Sequence, residues 1–223
     1  MKTTIKLLAL LFLISCKTSD DSSRLRGFLV DDTNRETMLL DFSEDYAELR
    51  NNIAKKHQVD LCDTTLAFKS LIPLKNDDSV LVNLSVFDIC FPYTPTWGTI
   101  EILVKSNDEI RVDMKYTTLD SVHHLVLGEL RGIIQDQRLN GEVVFKLEWQ
   151  DASQKTIKDV VAKSISALQQ FILEETQETY GVNLHSLDEK DFLKLKKNFY
   201  FEIALTQVRP DVPVDIGELN TLP

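Results

Sequence analysis

Glu142–Trp149 reads EVVFKLEW, and a long helical pattern begins shortly after it, at Ser153. Valine, phenylalanine, leucine and tryptophan alternate with mostly polar residues in the first stretch, which is typical of a strand with one buried face. From Ser153 to Tyr180, apolar residues recur at helical spacing, and Gly181 is suited to end the helix in a left-handed conformation. A strand followed directly by an amphipathic helix predicts helices packed on a sheet.

Two strands and a helix are predicted before this stretch. Thr99–Lys105 (TIEILVK) and Glu109–Tyr116 (EIRVDMKY) have the composition of strands, and the turn-forming residues 106–108 between them indicate a β-hairpin. An amphipathic helix is predicted over Leu119–Gln137, where the apolar residues again follow a helical period. The hairpin and helix therefore belong to the same structural unit as the strand and helix that follow them.

A short helix over Glu189–Lys197 and a last strand over Phe199–Gln207 complete this unit. We therefore predict an α+β domain over residues 96–208, with a mixed or antiparallel sheet and helices packed on one face. Residues 209–223 form a proline-containing tail that we expect to be frayed.

The first half is harder to interpret. We predict a helix over Glu36–His57, a second short helix over Leu66–Leu74, and a strand over Val80–Cys90 (VLVNLSVFDIC). The sequence leaves open whether residues 27–95 form their own domain or add to the sheet of residues 96–208.

The N-terminus has the features of a secretory signal. Two lysines supply positive charge before Leu7–Ile14 (LLALLFLI), an apolar core that is far shorter than the roughly 20 residues of a membrane-spanning helix. Leu13-Ile14-Ser15 before Cys16 resembles the bacterial lipobox, in which the cysteine is acylated and becomes the mature N-terminus. We expect residues 1–15 to be a signal peptide and Cys16 to carry palmitate-type acyl chains. The alternative is an ordinary signal peptide followed by an incidental cysteine.

Residues 16–26 are predicted to tether the domain to the membrane. The segment is polar and suits a flexible linker. Ser19-Asp20-Asp21 is also similar to the acidic signal that exports some Bacteroidetes lipoproteins to the cell surface. We therefore expect a lipoprotein of the cell envelope, anchored to the outer membrane on its periplasmic or its surface-exposed side.

Cys62 and Cys90 remain once Cys16 is acylated. They could form a disulfide, since an even pair of cysteines in an exported protein is often bonded. They could also be two separate buried thiols. The second interpretation is slightly favoured, because Cys90 falls within a predicted strand where packing alone would explain it. Their spacing indicates no metal site.

The charge of the chain excludes one large class of partners. There are 35 acidic and 25 basic residues. Loss of residues 1–15 would remove two basic residues and no acidic one, leaving a net charge of −12. We therefore expect no binding to nucleic acid.

No known catalytic pattern was found. The sequence contains no glycine-rich phosphate loop and no nucleophile elbow, and adjacent His123 and His124 do not have the spacing of a metal-binding pair on a helix. We therefore expect no enzymatic activity, no cofactor and no metal. The alternative is an enzyme whose pocket gathers distant polar residues such as Asp113, His124 and Glu148.

Three motifs of the second half resemble the periplasmic domain of the ExbD/TolR family. They are residues 107–113 (NDEIRVD) at the hairpin, 118–122 (TLDSV) at the start of a helix, and 143–147 (VVFKL) in the next strand. The long helix, Tyr180-Gly181 and Asp188-Glu189-Lys190 continue the similarity.

This resemblance implies a part in a biopolymer-transport-like or envelope-energising system. The implied partner is a TonB- or ExbB-like envelope protein, bound by strand addition at a sheet edge, or else a second copy in a homodimer. Family members carry a transmembrane helix with a proton-handling aspartate, whereas this chain has a lipobox, so that residue has no counterpart here. A structural lipoprotein that tethers an envelope complex is the alternative role.

Overall fold

The sheet at the centre of the fold contains strands from both halves of the chain. The computed structural model describes residues 23–74, 79–88, 90, 98–105, 109–135 and 142–208. The strands are β1 (Thr37–Leu39), β2 (Leu66–Pro73), β3 (Ser79–Val86), β4 (Gly98–Val104), β5 (Ile110–Val112), β6 (Lys115–Thr117), β7 (Glu142–Trp149) and β8 (Tyr200–Leu205). The helices are α1 (23–29), α2 (Tyr46–His57), α3 (Val122–Gln135), α4 (Gln154–Tyr180) and α5 (Glu189–Asn198).

The strands lie in the order β1-β2-β3-β8-β7-β4-β5-β6. The four central strands, β3, β8, β7 and β4, are parallel to one another. Antiparallel pairs β2–β3, β4–β5 and β5–β6 flank them, and β1 adds to β2 in parallel. The sheet is therefore mixed, and residues 27–95 and 96–208 contribute to one sheet rather than two.

One face of the sheet, which we call the helix face, is apolar. On β7 it consists of Val143, Phe145, Leu147 and Trp149, which belong to the main hydrophobic cluster. All five described helices add buried side chains to the same cluster, for example Phe28, Ile53, Val126, Phe171 and Leu195. This confirms the predicted α+β class with a mixed sheet and helices on one face.

Chain connectivity explains why α3 and α4 share that face. The connections β6–α3–β7 and β7–α4–β8 each join parallel strands and move in the same direction across the sheet. Such crossovers are right-handed in nearly all proteins, so two that move in the same direction place their helices on the same side.

The second half follows its predicted pattern closely. The strand over Glu142–Trp149 has the predicted bounds, and α4 is capped by Ser153, whose hydroxyl accepts a hydrogen bond from the amide of Thr156. Gly181 ends α4 with φ of 69°, the left-handed conformation expected of a C-terminal glycine. One correction concerns Glu109–Tyr116, which is two strands, β5 and β6, separated at Asp113, where φ is 51°.

Two helix predictions in the first half are wrong. Leu66–Leu74 is not a helix, because Leu66–Pro73 pairs along its whole length with β3. The predicted helix over Glu36–His57 begins only at Tyr46, where the Asp45 carboxylate accepts hydrogen bonds from the amides of Ala47 and Glu48.

The described residues include only part of the predicted tether and none of the predicted tail. Residues 23–26 of the predicted tether belong to α1. The signal peptide, Cys16, the export-signal motif and the tail over 209–223 lie outside the described residues.

Candidate functional site

A disulfide joins Cys62 to Cys90, with their Cα atoms 5.4 Å apart. The preference for two separate buried thiols is therefore wrong. β3 ends at Val86, so Cys90 lies beyond the strand in which it was predicted, and it is exposed. The amide of Asp88 donates to the carbonyl of Leu61 over 2.9 Å, which brings the two cysteine segments together.

A buried arginine lies beside this disulfide segment. Arg50 of α2 has only 8% of its side chain exposed, and its guanidinium forms an ion pair with Asp88. The same guanidinium donates to the carbonyl of Phe87 over 3.0 Å. These bonds fasten α2 to the chain just after β3, at the carboxyl edge of the parallel strands, where open α/β sheets commonly bind ligands.

Tyr46 adds an unusual polar group to this edge. The centre of its ring lies 5.3 Å from Cζ of Arg50 and 4.9 Å from the ring of Trp149. Burial raises the pKa of the Tyr46 hydroxyl well above its ordinary value. The neighbouring charge of Arg50 opposes this rise, but the effect of burial is larger. The arrangement holds a neutral phenol and an ion pair, and it presents no activated nucleophile.

A cavity of about 310 Å³ opens nearby, between the amino ends of α2 and α4. It is lined by Phe42, Ser43, Glu44, Asp45, Trp149, Asp151 and Ala152. Its carboxylates disfavour an anionic ligand. Across the described ranges, no group of three or more histidine, cysteine or acidic residues is arranged to hold a metal ion.

The sheet face opposite the helix face, which we call the polar face, carries buried charges. Glu101 on β4 and Lys146 on β7 are direct cross-strand neighbours, with a carboxylate–ammonium distance of 3.5 Å. Their side chains are 2% and 5% exposed. The amide of Glu101 also donates to the carboxylate of Asp113 over 2.8 Å. A pair buried this deeply requires both partners, because either charge alone would be poorly solvated.

A second chain of polar contacts crosses the polar face. Arg35 forms an ion pair with Asp31 at 2.9 Å and donates to the Tyr200 hydroxyl over 3.2 Å. Tyr200 and Ser85 both donate to the carboxylate of Glu202, over 3.1 Å and 2.6 Å. Burial, reinforced by the charge of Glu202, raises the pKa of Tyr200 to about 12.

One corner of the polar face is apolar and exposed. Leu39 of β1 is directly opposite Leu71 of β2, and Leu71 is directly opposite Leu81 of β3. These side chains, which we call the leucine row, are 61%, 38% and 36% exposed. Three neighbouring exposed leucines on a folded domain are typical of an interaction surface.

The polar residues considered for a catalytic pocket do not gather at one place. His124 is exposed on α3, which packs on the helix face. Glu148 is on β7, where it accepts hydrogen bonds from Val208 and Gln150. Asp113 lies at the β5–β6 turn and binds the amide of Glu101. Sequence reasoning missed Arg50, Tyr46 and the leucine row.

No protein-family profile, curated protein or solved structure matches the chain. No helix in the part of the chain that the structure describes is long and apolar enough to cross a membrane.

Proposed function

We propose that the chain is a lipid-anchored protein of the bacterial cell envelope that acts by binding a partner protein and not by catalysis. The anchor is Cys16, at the end of a lipobox-like signal. The disulfide between Cys62 and Cys90 supports an oxidising compartment, since such bonds rarely persist in the cytosol. The separation of Asp113, His124 and Glu148 supports a role without catalysis.

The leucine row is the observation that carries the binding role. Its three side chains belong to adjacent strands at one edge of the sheet, so they form one continuous patch. Complete burial of a fully exposed leucine is worth about 1.5–3 kcal/mol. Leu39 would therefore contribute most of the apolar gain from a covering partner, since Leu71 and Leu81 are already largely buried.

The same edge offers backbone groups for strand addition. The carbonyl of Glu36 accepts from Lys69, and the amide of Leu40 donates to Leu71, over 2.9 Å and 3.2 Å. Because backbone groups of a strand alternate in direction, the amides and carbonyls of Thr37 and Leu39 point away from β2. β1 is the last strand of the sheet on this side within the described residues. An extended segment could therefore pair with β1 and pack its side chains on the leucine row.

We assign this position to an extended segment of a TonB- or ExbB-like envelope protein, the partner class that the resemblance to ExbD/TolR domains implies. The mature chain has a net charge of −12. Charge complementarity therefore favours a basic segment, with apolar residues at alternate positions to meet the leucines.

In-cell photo-crosslinking tests this assignment. A photoreactive amino acid replaces Leu39 in the full lipidated chain, and a control chain carries it at Leu173, which is 37% exposed on α4. We expect an adduct from position 39 only, mapped by mass spectrometry to a basic, alternating segment of an envelope protein. The adduct should disappear when Leu71→Asp and Leu81→Asp are added. An adduct that survives these substitutions, or that joins only two copies of this chain, would contradict the proposal.

A further inference from the structure

The outer face of α5 is basic and carries an exposed leucine. Lys190, Leu193, Lys194 and Lys197 are spaced three and four residues apart, so they lie along one face of the helix. All four side chains are exposed, and Leu193 is 51% exposed. We call these four residues the α5 basic face.

This basic face contrasts with the rest of the chain. The mature chain has a net charge of −12, yet α5 carries four lysines against Glu189 and Asp191 in its first turn. Lys196 lies 3.5 Å from the Asp32 carboxylate. The three lysines of the α5 basic face form no ion pair with any other described residue. They are therefore available to a negatively charged surface.

The α5 basic face also lies close to the point where the tether enters the domain. α5 packs against α1, since the rings of Phe28 and Phe192 are 5.4 Å apart and Cζ of Arg24 lies 5.1 Å from the Phe192 ring centre. The guanidinium of Arg24 also donates to the carbonyls of Leu184 and Leu187, each over 2.9 Å. α1, where the described chain begins, therefore packs directly on α5, on the Phe192 side of the helix, which is opposite the α5 basic face.

The length of the tether limits how far α1 and α5 can move from an anchored Cys16. Six residues lie between Cys16 and Ser23, the first described residue of α1, so the two are seven Cα–Cα steps apart. Even a fully extended chain of seven residues spans only about 25 Å. A lipid at Cys16 therefore keeps α1 and α5 near the bilayer whatever path the tether takes.

From these observations we infer that the α5 basic face docks on an anionic phospholipid bilayer. The three lysines would contact lipid phosphates, and Leu193 would insert at the boundary between headgroups and acyl chains. Docking would add a second, electrostatic contact to the acyl anchor and fix the orientation of the domain. The inference rests on the proposed lipid anchor at Cys16.

Vesicle flotation of the full mature-length chain with Cys16→Ser, which removes only the anchor, isolates this contact. Vesicles of phosphatidylcholine with about one-third phosphatidylglycerol are compared with pure phosphatidylcholine. We expect binding to the anionic vesicles only, and loss of that binding at high salt. Lys190→Glu, Lys194→Glu and Lys197→Glu together should weaken the partition at least tenfold, since each basic residue near a charged membrane contributes measurably. The control combines Lys55→Glu, Lys155→Glu and Lys158→Glu, which change the net charge equally, and it should bind less than threefold more weakly.

Equal binding by the two triple variants, or equal binding to both vesicle types, would overturn the docking inference. The proposed lipid anchor would still stand after such a result if the chain acylated at Cys16 floats with the vesicles. If the parent chain instead incorporates no more radioactive palmitate than the Cys16→Ser chain, the proposed anchor fails. Circular dichroism of both triple variants verifies that they fold, and Leu193→Ser, which preserves every charge, gives a second measure of insertion.

Discussion

Removal of the disulfide between Cys62 and Cys90 should cost the domain a large share of its stability. The bond closes a loop with a sequence separation of 28 residues. Loop-closure entropy for this length corresponds to about 3.5 kcal/mol at room temperature. Much of the loop is structured, because α2 leads into it and both β2 and β3 lie within it. The Cys62→Ser/Cys90→Ser variant should therefore retain its fold but unfold more readily.

Urea unfolding followed by tryptophan fluorescence measures this loss. Trp149 is buried beside Tyr46, so its emission should report loss of packing. We expect the midpoint to fall by roughly 1–2 M in the double variant. Reductant should lower the midpoint of the parent chain similarly and leave the variant unchanged. A loss below about 1 kcal/mol, or two titratable thiols in the unreduced, denatured Cys16→Ala chain, would refute the reasoning.

Three further changes test the buried polar groups. Lys146→Met should lower the free energy of unfolding by about 3 kcal/mol, because it removes the ammonium that lies 3.5 Å from the buried Glu101 carboxylate. Lys146→Met and Glu101→Gln combined should cost less than the sum of the two single losses, and strictly additive losses would contradict the pairing. Arg50→Met should lower the free energy of unfolding, measured by chemical denaturation, by about 2–3 kcal/mol. Lys55→Met, on the exposed side of the same helix, should lower it by less than about 0.5 kcal/mol. The pKa of Tyr200 is raised to about 12, so stability should fall as pH rises from about 10 to 12, and Tyr200→Phe should flatten that fall in pH-dependent unfolding.

The second half could be predicted from sequence because its signals are local. β7 alternates apolar and mostly polar residues without interruption, and α4 carries both a serine cap and a terminal glycine. In β2 the same alternation is concealed. Phe68 and Ile72 face the core, but the core-facing position between them is Ser70, which is fully buried. A polar residue is normally expected at an exposed position, so the buried serine breaks the apolar alternation of the strand. The apolar periodicity alone therefore predicted a helix instead of β2.

The candidate sites were only partly accessible to sequence reasoning. Tyr46, Leu49, Arg50 and Ile53 occupy the buried stripe of α2, so an arginine at a core position of the helical period was a readable signal for a buried ion pair. Its partner Asp88 could not be identified, since the contact joins residues 38 positions apart. The leucine row also depends on the register of three strands, two of which were predicted as helix.

Metabolic labelling with radioactive palmitate tests the central claim most directly, because the proposed anchoring in the cell envelope depends on acylation of Cys16. The full chain and its Cys16→Ala variant are expressed in a bacterial host that processes lipoproteins, and label and cell fraction are compared. We expect label and membrane sedimentation for the parent chain. Cys16→Ala should carry no label and should remain an uncleaved precursor or be released in soluble form. Equal label on both chains, or identical processing and sedimentation, would show that Cys16 is not the anchor.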